Sequence, residues 1–437
     1  MYTIINYILF LLIYIYSLKY IFTPAAFVKN PLQENQKFSV TGVQQFFLLL
    51  LLTNIFSLSF LMANRMLFNI VVCLIAIFVD KNRPVFNGVF FIYILFITWL
   101  FVAIIYSPVK GFGFRVFLKY LYPFIGFVLA TKISSTPLYA FKVVKTISVV
   151  GLMGLLGLLV FPYIPVINGL AAAVYFWWPA IVDFFPLPIC IALSYYSMLH
   201  KKKYLFYALL FVIPSILATN RTGILVASLS IVLYSIIRYK IKSLPYVVVG
   251  LSIFVGVLLY VPNFRNKMFK KNLTTEDIIE NRETLSTDDI DSSGRFAMWE
   301  WSLDNFYKGK EVTGSGLGVL QDRFYSLNHP FGQIRIVHND YVQLLCDTGL
   351  IGLILYLSIF LFIFLHCVIL AWNNRKPWII RFLAMIVGPS IICMAVASYT
   401  DNVVNYSLMT LGYPFALYGI LVGLNNRLQA SSATNGI

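Results

Sequence analysis

The chain has 437 residues, of which 60% are hydrophobic and 11% charged, and its mean hydropathy is +0.82. Soluble domains are about one quarter charged, so this composition excludes an ordinary soluble protein and implies an integral membrane protein. The net charge of +16 does not imply nucleic-acid binding. Outside 263–341 the basic residues fill short gaps between apolar runs, where they anchor helices and meet anionic headgroups.

A membrane-crossing helix needs about 20 apolar residues. Runs that meet or approach this length lie at 2–18, 42–62, 66–79, 86–106, 115–131, 143–163, 179–199, 204–219, 222–237, 245–262, 342–370, 379–398 and 408–424. The expected fold class is therefore all-α, a polytopic transmembrane bundle of about 12–14 spans with one long external loop containing short helices. Unbroken runs such as FFLLLLLTNIF exclude a β-barrel, whose strands alternate over about 10 residues. The opening stretch MYTIINYILFLLIYIYSLKYIF lacks a basic leader and has a long apolar run, so it reads as a retained helix. Cys73, Cys190, Cys346, Cys367 and Cys393 lie in or beside apolar segments, without a CxxC or His/Cys cluster. They read as small buried hydrophobes rather than a disulfide framework or a zinc site.

Charge sets the orientation. Lys201-Lys202-Lys203 and the Arg238–Lys242 cluster belong in the cytoplasm by the positive-inside rule. Asn220-Arg221 between them is then external, as is 263–341. Arg375, Lys376 and Arg381 mark the cytoplasmic side again, and Asp401 and Asn402 fall outside. The same parity places 164–178, with Trp177 and Trp178, and the Lys110–Arg115 gap outside. The expected division is a first helical part at 1–262, a large periplasmic loop at 263–341, further spans at 342–424 and a disordered cytoplasmic tail at 425–437.

The polar interval 263–341 holds 12 of the 17 acidic and 10 of the 33 basic residues, so function is sought there first. Thr274–Leu285 reads as a charged surface helix. Residues 295–307 read as an amphipathic helix with Trp299, Leu303 and Phe306 on one face. Gly314-Ser315-Gly316-Leu317-Gly318 reads as a flexible turn without the ending of a nucleotide-binding loop. His338-Asn339-Asp340-Tyr341 opens the next span, with Asn339 or Asp340 as its cap.

Three cations stand out. Arg221 lies at a tight junction between apolar runs, where an ionisable side chain snorkels to the headgroups or faces a polar cavity. Arg295 opens a helix, at the wrong end of the macrodipole unless an anion compensates it: a phosphate, or Asp291 or Glu300. His338 at a helix mouth is either a surface residue or a base for a sugar hydroxyl. A competing signal is Asp289-x-Asp291-x-Ser293-Gly294-x5-Glu300, which has the spacing of a calcium loop.

Taken together, NRTG at 220–223, SGR at 293–295 with Trp299 downstream, GSGLG at 314–318, HNDYVQLLCDTGLIG at 338–352 and TDN at 400–402 resemble the O-antigen ligase/O-antigen polymerase superfamily of bacterial membrane glycosyltransferases. The resemblance covers roughly 220–420. The family often has a further arginine before the equivalent of 179–199; here only Trp177, Trp178 and Asp183 are offered. The resemblance implies a GT-C-like bundle in the bacterial inner membrane, acting at the periplasmic face on an undecaprenyl-pyrophosphate-linked oligosaccharide, with no cofactor and no metal. It implies catalytic roles for His338, Arg295 and Arg221, and substrate binding by Asn339, Asp340, Tyr341, Trp299, Asp401 and Asn402. Its other partners would be an acceptor glycolipid, membrane lipids and a chain-length regulator. A repeat-unit polymerase is the leading expectation and an O-antigen ligase acting on lipid A-core the alternative. A lipid-linked glycan flippase and a calcium-binding scaffold are rivals from other classes.

Overall fold

A computed structural model describes residues 2–33, 35–56, 62–160, 163–164, 182–262 and 294–434, with isolated positions 265, 266, 269 and 276. The chain forms α1 (Tyr2–Ile21), a small antiparallel hairpin of β1 (Ala26–Lys29) and β2 (Lys37–Val40), then α2 (Gly42–Thr53), α3 (Met62–Val79), α4 (Gly88–Ile105), α5 (Lys110–Ile133) and α6 (Pro137–Leu159). There follow α7 (Pro186–Leu199), α8 (Lys202–Leu210), α9 (Ile213–Leu217), α10 (Arg221–Tyr239) and α11 (Leu244–Tyr260). The polar segment contributes α12 (Arg295–Phe306) and α13 (Val319–Tyr325). The last helices are α14 (Asp340–Trp372), α15 (Trp378–Thr400) and α16 (Gly412–Thr434).

The fold is an all-α polytopic bundle, as composition implies. Where described, every apolar run lands on a helix. Among the described residues, 8 stretches are long and apolar enough to cross a membrane, one of them the window Arg221–Gly256 that joins α10 and α11. α2 and α3 are shorter apolar helices, and the run at 204–219 is divided into α8 and α9 just before Pro214. α16 is buried on all sides from Leu411 to Leu424, as expected of a helix that is apolar all round. It packs chiefly on α5 and α15 and forms the axis of the core.

Hydrogen bonds divide the bundle into two ends. At the basic end, Lys132 Nζ donates to the Asp80 carbonyl at 2.9 Å, Arg427 donates to the Lys132 carbonyl, and Trp372 Nε1 donates to the Ile237 carbonyl at 2.9 Å. Lys201–Lys203, Arg238 and Arg381 occupy helix termini at this same end. The opposite end gathers the C-termini of α4 and α15 and the N-termini of α5, α10 and α14, with the polar segment packed across them. This is the grouping that charge parity requires.

Three expectations change. The turn at 314–318 is packed, not flexible. Gly316 N donates to the Asp347 carbonyl at 3.0 Å, Leu317 N to the Ala103 carbonyl at 3.1 Å, and the Asp347 carboxylate takes Gly318 N at 2.9 Å and Leu320 N at 3.0 Å. Gly314 has φ +73°, and a Cβ there would lie 2.5 Å from the Asp347 backbone. Gly349 (φ +66°) breaks α14 at the same contact, where a Cβ would lie 2.2 Å from the Val312 carbonyl oxygen. The second change is in α12, whose buried stripe is Met298, Ser302 and Phe306 rather than Trp299, Leu303 and Phe306. That face packs on Leu320, Phe324, Val337, Val342 and Cys346. Third, the tail is helical to Thr434, because α16 continues past its apolar stretch. Among the described residues all five cysteines are free and buried.

Gly314→Ala is expected to cost about 2–4 kcal/mol, combining left-handed strain with a backbone clash. Gly294→Ala has a similar φ of +76° but open space around it, so it should cost about 1–2 kcal/mol. Thermal melts of the two variants in detergent check the order. Sidedness is checked with an impermeant maleimide: Lys202→Cys and Asn328→Cys, both at exposed positions, should label from opposite faces of the membrane.

Candidate active site

Each letter of NRTG has a distinct local task. Asn220 caps α10 by accepting Gly223 N at 2.8 Å, so Arg221 is fixed as the first helical residue. Thr222 Oγ1 meets Thr400 Oγ1 at 2.9 Å, tying the start of α10 to the end of α15. Gly223 packs on Val182 and Ser215, with space for no more than a hydrogen. Arg221 is thereby held, partly buried, beside the last turn of α15.

The TDN stretch is the hub. The Thr400 carbonyl accepts a hydrogen bond from Arg295 Nη1, which brings the first residue of α12 to the same point. Asp401 Oδ1 lies 3.1 Å from His338 Nδ1 and also accepts Asn402 N at 2.8 Å. The His338 and Asp401 side chains are 33% and 16% exposed, so the pair opens to the surface on the histidine side. Burial pushes the Asp401 carboxyl up. The bonds from His338 and Asn402, with the charges of His338 and Arg295, outweigh it and hold the group below the usual carboxylate range.

His338 has a left-handed backbone, φ +52°, which is uncommon for a non-glycine residue and recurs at functional sites. It is held there because the next residues are committed. Asn339 caps α14, accepting Tyr341 N at 2.9 Å and Val342 N at 3.1 Å. Buried Asp340 accepts Val404 N at 3.0 Å, a second tie between α14 and the turn after α15. Tyr341 donates to the Ala395 carbonyl, and Trp299 Nε1 donates to the Val337 carbonyl at 2.9 Å while packing edge-on to Tyr399.

The structure thus brings His338, Asp401 and Arg295 into one bonded group, with Arg221 one residue from a bond to it. Trp299 and Tyr341 frame this group. Asn339 and Asp340 are 1% exposed; one side-chain oxygen of each is spent on a helix end, and Asn339 Nδ2 and Asp340 Oδ1 are buried without a partner among the described residues. Asn402 is 1% exposed, with neither side-chain atom paired. Trp177, Trp178, Thr274–Leu285 apart from Glu276, and the first half of the calcium spacing lie outside the described residues. Among the described residues no group of three His, Cys, Asp or Glu is arranged to hold a metal ion.

Lys119 was not singled out from the sequence, and Thr222 and Thr400 stood there only as letters of NRTG and TDN. Lys119 on α5 donates to Gln321 at 3.3 Å and to Asn405, bracing the polar segment against the turn after α15. Thr222 and Thr400 form the α10–α15 link. Asp183, expected only as a remnant of the donor site, is buried within electrostatic reach of Asp401, Asp340 and Arg295. A lone lysine, aspartate or threonine in an apolar helix has no local spacing that reveals a partner hundreds of residues away.

The fold and this group define a polytopic helical membrane protein with a histidine–carboxylate pair flanked by arginines at one end of its bundle. Residues 205–357 match the family model described as O-antigen ligase, which supports a place for the chain in the O-antigen ligase/polymerase superfamily. The matched stretch includes Arg221, Arg295, Trp299 and His338–Tyr341, and ends before Asp401. The chain matches none of the curated proteins with which it was compared.

Because Asp401 titrates below its ordinary value near 3.9, its contribution to stability is present above that value. It is lost as pH falls through the lower, folded-state value. The melting temperature is expected to hold from about pH 7 to about pH 5 and to fall below about pH 4. Asp401→Asn should flatten that fall, measured by thermal melts across the range.

Proposed function

We propose that the protein is a polysaccharide repeat-unit polymerase. It takes a glycan from undecaprenyl pyrophosphate and transfers it to a lipid-linked repeat unit of O-antigen or capsule at the periplasmic face of the inner membrane. A function of O-antigen ligase/polymerase type on a lipid-linked glycan follows from the family match. The observation that carries the finer reading is the His338–Asp401 pair with Arg295 anchored beside it. Such a constellation at a helix mouth favours catalysis over the short-looped, mid-membrane polar path of a flippase.

In this reading Asp401 accepts the Nδ1 proton of His338, which leaves Nε2 as the base. Nε2 takes the proton of an acceptor hydroxyl as its oxygen attacks the anomeric carbon of the donor sugar. The bond from that carbon to the pyrophosphate oxygen breaks, the configuration inverts, and the lipid pyrophosphate leaves with the electron pair. Arg295 and Arg221 are permanently charged fork-shaped donors suited to the developing phosphate charge, so the reaction proceeds without a metal. His338 then releases its proton to water. An O-antigen ligase is the second reading, favoured by the description of the matched family; it differs only in taking lipid A-core as acceptor.

Purified protein with a synthetic undecaprenyl-pyrophosphate repeat unit should yield a ladder of products. His338→Ala should reduce turnover about 10²–10⁴-fold and Arg295→Gln about 10²–10³-fold. Full activity in both variants would sink the mechanism. Transfer to lipid A-core without a ladder would select the ligase.

A further inference from the structure

A cavity of about 260 Å³ lies at the other, basic end, between α7, α10 and α15, and the mechanism above makes no use of it. Its polar wall is Ser194, Arg238 and Arg381; its apolar wall is Met198, Trp378 and Phe382. Arg238 stands in the last turn of α10, and its Nε is buried without a hydrogen-bond partner. Ser194 is 1% exposed, and its Oγ is also unpartnered. Arg381 is held in place by Nε, which donates to the Ala371 carbonyl at 3.2 Å.

A built cavity with two guanidinium groups and an unpaired buried hydroxyl calls for an oxygen-rich anion, since unpaired buried donors are costly. Among the described residues that line the cavity there is none. Lys201, Lys202, Lys203, Lys240, Lys242, Arg375 and Lys376 lie on the helix ends around it. The Asp80 carboxylate at this end is engaged by its own turn, accepting Asn82 N at 2.9 Å. The apolar wall narrows the choice further. Trp378 is 51% exposed at the start of α15, the position of a ring at the headgroup level of a bilayer. Inorganic phosphate has no use for such a wall, whereas a phospholipid places glycerol and acyl carbon against it.

We propose that this cavity is a binding site for an anionic phospholipid of the leaflet at the basic end. Arg238 and Arg381 clasp its phosphate, Ser194 donates to the same group, and Met198, Trp378 and Phe382 hold the first part of its acyl chains. With no carboxylate in the cavity to meet a choline or ethanolamine ammonium, the site prefers phosphatidylglycerol over zwitterionic lipids.

The test uses full-length protein in neutral detergent, titrated with phosphatidylglycerol, phosphatidylcholine or inorganic phosphate and read by native mass spectrometry and thermal melts. Phosphatidylglycerol is expected to bind at least tenfold more tightly than phosphatidylcholine and to raise the melting temperature by several degrees. The double variant Arg238→Gln/Arg381→Gln should lose the preference. Ser194→Leu keeps both arginines but fills the cavity, and should lose it as well; it decides the matter should the double variant fail to fold. Lys201→Gln/Lys202→Gln/Lys203→Gln should keep the preference. Equal binding of phosphatidylcholine, the full shift from inorganic phosphate alone, a preference that survives Ser194→Leu, or one lost in the triple lysine variant would each overturn the proposal.

Discussion

The structure depends on how the beginning of α14 is fastened to the end of α15. These helices are joined in sequence at the basic end by a short turn, but at the opposite end nothing covalent holds them together. His338, Asp340, Asp401 and Val404 do so instead: Nδ1 of the imidazole to one carboxylate, and the other carboxylate to a backbone amide. Buried acids in an apolar bundle are tolerated only when their oxygens are occupied. The bond from Val404 N to Asp340 Oδ2 fixes the turn at 401–404, and that turn presents Asp401 to the histidine. Structural necessity and chemical geometry are one arrangement here.

Around this fastening the polar segment is moored at several independent points. Arg295 reaches the end of α15, Leu317 bonds to both Ala103 and Ser107 at the end of α4, and Asp347 clamps the glycine turn. Lys119 braces Gln321 from α5. A polar stretch lying on a membrane protein could be a loose flap; residues 294–341 are laced to four helices, so Arg295 is delivered to a set position. Preorganisation of that kind is what cationic stabilisation of a leaving group requires, because donors that must move into place lose much of their effect.

The sequence made the bundle legible because hydrophobic runs are a one-dimensional signal, and the grouping of its connections at two ends legible because basic residues mark one of them. Motif letters such as His338, Arg295 and Asp401 were readable because unusual residues stand at helix mouths. The reason for the glycines was not readable. Gly314, Gly316 and Gly318 look like slack in a string of letters, and only the approach of Asp347 to the first, Ser107 to the second and Phe112-Gly113 to the third shows why each lacks a side chain. The buried face of α12 was misplaced for a related cause. Its Trp and Leu residues look the most hydrophobic, yet Met298 and Ser302 face the tighter contact while Trp299 turns to Val337 and Tyr399.

The two ends of the bundle carry cations for different purposes, and the difference lies in their company. At the basic end the charges stand at helix termini of both kinds and in loops, largely without acids, the arrangement that holds a protein in a bilayer of anionic lipid. At the opposite end Arg221 and Arg295 occupy the first turns of helices, beside the N-terminus of α14, so dipoles and guanidinium groups add to one positive field. Positive charge at a helix start is unfavourable on its own, and Asp183, Asp340 and Asp401 offset part of it. Two of these acids are already engaged in hydrogen bonds that fix the fold. Whatever lies between His338 and the arginines meets what remains of that field; in the proposed mechanism this is the pyrophosphate of the donor.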